Sequence, residues 1–283
     1  MVNVTKVSGE KAPFVPAKLL ASLKRAGANE SLAKDILEEV QSGLYEGIAT
    51  KAIYKEAFAR LRKHSRPLAA KYKLKKALME LGPTGYPFER FVGEILRDQG
   101  FKVEVGVIVQ GHCVQHELDV VAEKASEHYI VECKFHSDQA RHCDVKVPLY
   151  IHSRFRDVEK QWRKHEAHST KFHKGWIFTN TRFTNDATKY GSCSGLMLVG
   201  WDYPKKEGLK DLIDRSGLHP VTCLTTLTKQ EKQIILSANH VLCRDICDSP
   251  QLLNMARVHT SRQKNVIKEA LALCNYSIKY HEK

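Results

Sequence analysis

Long apolar runs are missing. No stretch of the 283 residues approaches the ~20 apolar residues that a membrane-spanning helix needs, so no membrane span is expected. Met1–Gly9 has no apolar leader core, and the chain is expected to be cytoplasmic. A C-x-x-C pair is also missing. The eight cysteines are scattered through apolar segments, which excludes a disulfide scaffold and points to buried, reduced thiols. His112, Cys113 and His116 form one local group, and His240, Cys243 and Cys247 another. Neither supplies the second ligand pair of a structural zinc site, so neither is read as one. Acidic residues are in deficit: 32 Asp and Glu stand against 45 Lys and Arg, a net charge of +13. That excess favours an anionic partner, nucleic acid before membrane. A merely soluble basic chain has the same composition.

What is present centres on Gln115–Phe135, QHELDVVAEKASEHYIVECKF. It reads as two strands, Glu117–Glu123 and Tyr129–Phe135, joined by a polar turn. Side chains alternate between faces along a strand. Glu117 and Asp119 therefore share one face, and Ile130, Glu132 and Lys134 share another. If the strands pair, Asp119, Glu132 and Lys134 converge. Two carboxylates beside an ammonium suit a divalent cation such as Mg²⁺, which takes a few carboxylates plus water and phosphate. Such an ion polarises a phosphate oxygen, and Lys134 is placed to orient water or stabilise negative charge. The same short pattern also describes an ion pair on a solvated strand face.

Upstream, Gly85–Gly100 reads GYPFERFVGEILRDQG. Phe88, Phe91, Val92, Ile95 and Leu96 recur at helical spacing, Glu89 lies near the start, and Gly100 is a C-terminal stop. A helix with an early Glu, followed by D…E-x-K strands, resembles the PD-(D/E)-x-K nuclease superfamily. Within it the likeness is to Mrr-like restriction endonucleases and archaeal Holliday junction resolvases, over Pro87 to about Trp201. The resemblance implies an active-site set of Glu89, Asp119, Glu132 and Lys134. It implies Mg²⁺ on Asp119, Glu132 and the backbone carbonyl of Cys133, with Lys134 positioning the attacking water. Glu89 would hold a second metal or orient metal-bound water, and Gln161 would approach the site from a helix. Glu132, where many Mrr-like proteins have Gln, is the resolvase-like form.

The chain opens with a short hairpin, Val2–Phe14, turning at Ser8–Lys11. Three helical segments follow. Pro16–Ala26 turns Leu19, Leu20 and Leu23 inward. A helix capped by Ser31 does so with Leu32, Ile36, Leu37 and Val40, and one capped by Thr50 with Ile53, Ala57, Phe58 and Leu61. Periodicity alone gives a hairpin plus a helical bundle. The pattern V-x-K-x-x-G-x-x-x-x-F with these helices resembles the ATP-cone domain, over Val2 to about Arg62. That likeness implies an adenine nucleotide, ATP or dATP, as effector. It implies Lys6 and Lys18 at the phosphates and Val4 and Lys11 near the ligand, with Val7 where the family has Arg.

Leu61–Met79 is strongly basic and breaks at Pro67; it either grips phosphate or solvates a helix. Between Ser137 and Asp157, Arg141, His142, Lys146, Arg154 and Arg156 interleave with Tyr150 and Phe155. Such mixtures bind backbone and stack on bases, and an ordinary loop and helix start looks the same. A helix over Val158–Ala167, Lys171 and Lys174 before a strand at Trp176–Thr179, a loop at Asn180–Asn185, a helix at Asp186–Tyr190 and a strand at Leu196–Trp201 predict an α/β core with a mixed central sheet. Beyond Gly217–Pro220 the pattern is helical. Leu224–Ile246 resembles a helix-hairpin-helix or RNA-polymerase-α-tail module, with Asn239-His240 in the usual glycine position; DNA contact and a docking or dimerisation role are equally open.

The reading is an α/β chain in four parts: an ATP-cone-like domain (1–64), a basic helical linker (65–85), a nuclease-like domain (86–216) and a small helical domain (217–283). The expected function is a Mg²⁺-dependent DNA endonuclease of restriction or defence type that responds to adenine nucleotide and forms a homo-oligomer. Two alternatives stand beside it. One is a nucleotide-sensing DNA-binding regulator with an inactive nuclease fold; the other is a Holliday-junction or RNA nuclease.

Overall fold

The computed structural model describes residues 2–6, 8–164 and 172–274. Val7, Lys171 and the 165–167 end of the helix expected over Val158–Ala167 lie outside the described residues. Two compact units form. One comprises residues 1–77, 223–234 and the chain from 243 on; the other comprises 78–222 and 235–242. These units cut across the four parts read from the sequence, because C-terminal segments share a unit with the N-terminal helices.

In the first unit, β1 (Asn3–Thr5) pairs antiparallel with β2 (Lys11–Pro13), the expected hairpin, and parallel with the two-residue β3 (Ile48–Ala49). The helices here are α1 (Pro16–Arg25), α2 (Glu30–Ser42), α3 (Thr50–His64) and α4 (Arg66–Tyr72), and the division at residue 77 falls within α5 (Leu74–Met79). The apolar stripes of α1 to α4 meet in one core that includes Leu23, Ala33, Ile36, Val40, Ala57 and Leu61. Asn29, not Ser31, caps α2: its side chain accepts from the backbone N–H of Leu32 at 2.9 Å. Thr50 lies inside α3, and Ala49 before it makes no side-chain cap.

In the second unit, α6 (Tyr86–Asp98) precedes β4 (Lys102–Gln110), β5 (Gln115–Lys124), β6 (Glu127–Lys134), β7 (His142–Cys143) and α7 (Lys146–Trp162). Next come β8 (Phe172–Thr179), β9 (Arg182–Phe183), α8 (Asn185–Cys193), β10 (Met197–Val199) and α9 (Leu209–Ser216). The central sheet has the order β10-β8-β6-β5-β4. Strands β4, β5 and β6 are antiparallel neighbours, whereas β6, β8 and β10 run parallel. The mixed sheet matches expectation; β4 was passed over in the sequence. Gly93 allows α6 to sit close on β4, since a Cβ there would lie 3.1 Å from Val105 Cγ2. Gly100 ends that helix at φ 85°, where glycine has no steric penalty.

The remaining helices are α10 (Lys229–Ser237), α11 (Cys243–Asp248), α12 (Leu252–Met255) and α13 (Thr260–Cys274). Between α10 and α11, Asn239 adopts φ 66°. Asn tolerates this left-handed conformation better than most residues, so the turn forms without the glycine. No helix of the described residues is long and apolar enough to cross a membrane. All eight cysteines are free thiols, but Cys113 and Cys193 are exposed rather than buried.

Candidate active site

Strand register assembles the site. Val120 pairs with Val131, so one position further Asp119 stands opposite Glu132. Asp119 Oδ2 accepts the backbone N–H of Cys133 at 2.7 Å, which locks this crossing. Lys134, two residues beyond Glu132 on the same face, donates to Glu132 Oε1 at 2.5 Å. Glu89 comes from the first turn of α6. The structure thus brings Glu89, Asp119, Glu132 and Lys134 together.

Crowded carboxylates resist ionisation. Burial, then the charges on Asp119 and Glu132, push Glu89 up to about 7. Burial and Glu132 push Asp119 up to about 6, against the lowering effect of the Cys133 N–H. Burial pulls the Lys134 ammonium down, but Glu132 outweighs it and the net direction is up. Burial also raises the Cys133 thiol well above its ordinary value; strand alternation turns that side chain away from the face of Glu132 and Lys134, so its backbone carbonyl is the candidate donor.

One member was not foreseen. Arg154 on α7 donates from Nη1 to Glu132 Oε2 at 2.8 Å, and from Nη2 to the carbonyl of Glu117. The sequence grouped Arg154 with DNA-binding basic residues; its partner lies 22 residues away, beyond any local spacing rule. Gln161 is not brought to the carboxylates. It lies two helical turns past Arg154, about 10 Å along the axis, next to Trp162, which stacks on His128. Arg154 therefore occupies the helix position that faces Glu132.

The segment after Lys134 is tightly held. Thr179 Oγ1 donates to the Lys134 carbonyl at 2.8 Å. Asn180, fully buried, accepts from His136 N–H at 2.9 Å and donates to the His136 carbonyl at 2.7 Å. Sequence reading left Asn180 in a loop.

Other expected residues are placed elsewhere. Phe155 is buried beside Ile130 and Val158, so it is not offered to bases, whereas Tyr150 is exposed. Arg156 pairs with Glu159, and Lys174 with Glu127. His116 Nε2 lies 2.8 Å from Asp157 Oδ2, and Asp157 also accepts the Cys113 N–H. These bonds, His116 first, hold the Asp157 carboxyl below the usual range and pin the β4–β5 loop to α7. In the first unit, Val4 is buried in the core, so its side chain faces helices. Lys6 pairs with Glu10 at 2.9 Å, and Lys11 and Lys18 are exposed.

Among the described residues, no three His, Cys, Asp or Glu side chains gather as a metal cluster. The donors that do converge, Asp119 and Glu132, are hard oxygens. With water and a substrate phosphate, such a pair is the common protein share of a Mg²⁺ site.

Residues 82–150 match the restriction endonuclease family, and residues 219–274 match the AF1548-like C-terminal family. Neither match reaches residues 1–77. An uncharacterized protein of Archaeoglobus fulgidus is 38% identical over 180 residues, covering 63% of this chain and 97% of its own length. The crystal structure of AF1548, a protein of unknown function, aligns with TM-score 0.56 and 37% identity, over 69% of this chain and all of that one.

Proposed function

The chain belongs to the AF1548-like family, and on that premise we propose that it is a Mg²⁺-dependent endodeoxyribonuclease of restriction or defence type. The restriction endonuclease match supports a nuclease hydrolase with DNA as substrate. The observation that carries the finer reading is the convergence of Glu89, Asp119 and Glu132 on Lys134, with Glu89 and Asp119 both raised.

In this reading Asp119, Glu132 and the Cys133 carbonyl hold Mg²⁺. The ion, when bound, would neutralise the carboxylate crowding and polarise the scissile phosphate. The chain's own groups do the rest. Lys134 positions the attacking water and stabilises charge developing on phosphate. Glu89, raised here by burial and the Asp119 and Glu132 charges, would hold a second metal or orient metal-bound water. The bond to Cys133 keeps Asp119 in place, and the product carries a 5′-phosphate. Exposed polar side chains on and before α7, among them Arg141, His142 and Lys146, support backbone contact. The proposal extends to a homo-oligomer under adenine-nucleotide control through Lys6, Lys11 and Lys18.

One observation favours a second reading, a DNA-binding regulator with an inactive nuclease fold. Both Glu132 oxygens already accept from cations, one from Lys134 and one from Arg154, which offsets the negative charge a metal would use. Incubating plasmid, linear, branched and RNA substrates with Mg²⁺ or EDTA separates the readings. Mg²⁺-dependent cutting of DNA supports the endonuclease. Cutting confined to branched DNA or RNA moves the substrate class, and DNA binding without cutting supports the regulator.

A further inference from the structure

Two adjoining cavities in the first unit suggest a site apart from the carboxylates. One, of about 250 Å³, is lined by Arg62, Arg66 and Arg262 with Thr225, Thr226 and Asn265. The other, of about 350 Å³, has Lys55, Lys73, Lys76 and Lys232 around Tyr54 and Phe58. Arg62 and Thr225 line both, so the two form one basic recess. Among the described residues, no Asp or Glu lines either wall.

The walls are built in advance. Glu269, buried behind them, accepts the backbone N–H groups of Thr225 and Thr226, each at 2.9 Å, and both hydroxyls. Its charge is thereby spent on shaping the wall. Arg262 is fixed by Glu231 and the Thr226 carbonyl, both at 2.6 Å. Arg62 and Arg66 are exposed, and neither pairs with a carboxylate among the described residues. Lys232, only 7% exposed, puts a sheltered positive charge in the second wall. Tyr54 stacks on Phe58 at 6.3 Å between centroids and on Tyr72 at 5.1 Å, so the ring left to a ligand is that of Phe58.

Shape and chemistry together select a ligand class. Duplex backbone is met by open basic surfaces, whereas a recess of a few hundred Å³ takes a small molecule. Clustered Arg and Lys match closely spaced phosphates, and an aromatic wall accepts a base by stacking. We propose that this recess binds a nucleoside polyphosphate, with its phosphates among Arg62, Arg66 and Arg262 and its base against Phe58. Val4, Lys6, Lys11 and Lys18 line neither cavity, and no catalytic carboxylate takes part. The inference therefore stands apart from the nuclease reading and from the hairpin lysines.

The test is calorimetric titration of the full chain with ATP, GTP, inorganic tripolyphosphate and a short DNA duplex. It is run on wild type, R62A/R66A, R62K/R66K and K6A/K18A. The expected result is an ATP-binding event, separate from the one proposed at the hairpin lysines, that weakens at least about tenfold in R62A/R66A, recovers in part in R62K/R66K and persists in K6A/K18A. Tripolyphosphate should bind more weakly than ATP, since it forgoes the aromatic wall. Both arginines are exposed, so the fold should survive, as unchanged circular dichroism would verify. Three results would overturn the proposal: no binding of any polyphosphate, ATP binding indifferent to R62A/R66A, or R62A/R66A weakening duplex binding in a protein that ignores ATP.

Discussion

Arg154 and Glu132 meet at 2.8 Å, joining α7 to the strand that carries the candidate metal carboxylate. Both side chains are sheltered, at 13% and 5% exposure. Removing Arg154 leaves Glu132 held by Lys134 alone and takes the donor from the Glu117 carbonyl, a loss of about 2 kcal/mol. Arg154→Ala should therefore lower the stability measured by urea unfolding by about that much. A loss below about 0.5 kcal/mol, the scale of a surface pair, would show that the pair is not sheltered.

The Glu89 carboxyl stands at about 7 against an ordinary 4.5. A raised folded value means that the protonated form is the one folding favours. Its contribution is whole below the unfolded value and is lost as pH rises through about 7. Glu89→Gln is uncharged throughout. In EDTA it should match wild type near pH 4 and exceed it by about 1 kcal/mol near pH 8, after allowance for screening at a partly exposed group. Denaturation midpoints across this range check the sign; a variant less stable than wild type at the alkaline end would refute the crowding argument.

Metal binding has a readout without catalysis. A ligand that binds only the folded state raises its stability with concentration. Mg²⁺ should raise the melting temperature of wild type and leave Asp119→Asn unmoved. An equal rise in both proteins would place the ion elsewhere.

Asn180 is fully buried and bonds both backbone groups of His136. Asn180→Ala strands those groups, at a cost of about 2 kcal/mol. Because His136 lies two residues past Lys134, cleavage should also slow while DNA affinity holds. Unchanged unfolding in N180A would mean that water replaces the clamp.

Much of this was legible. Period-two alternation and a polar turn located the Asp119 and Glu132 strands, and helical spacing with Gly100 located α6. The β4 signal was equally plain, with Val103, Val105, Val107 and Val109 at alternate positions, and was passed over. What could not be read is what depends on long separation. Arg154 reaches Glu132 only after the chain crosses between parallel strands, and Asn180 acts only because β8 lies beside β6. Resemblance alone points to Gln161, whereas Arg154 is the α7 residue bonded to Glu132. In the first unit, the grouping of C-terminal segments with N-terminal helices leaves no trace in local pattern.

The most direct test of the central claim is DNA cleavage in Mg²⁺ by wild type and Asp119→Ala, with DNA affinity measured alongside. The account predicts that wild type cuts, that EDTA stops it, and that D119A binds DNA but does not cut. Cutting by D119A at the wild-type rate would contradict the assignment of this site.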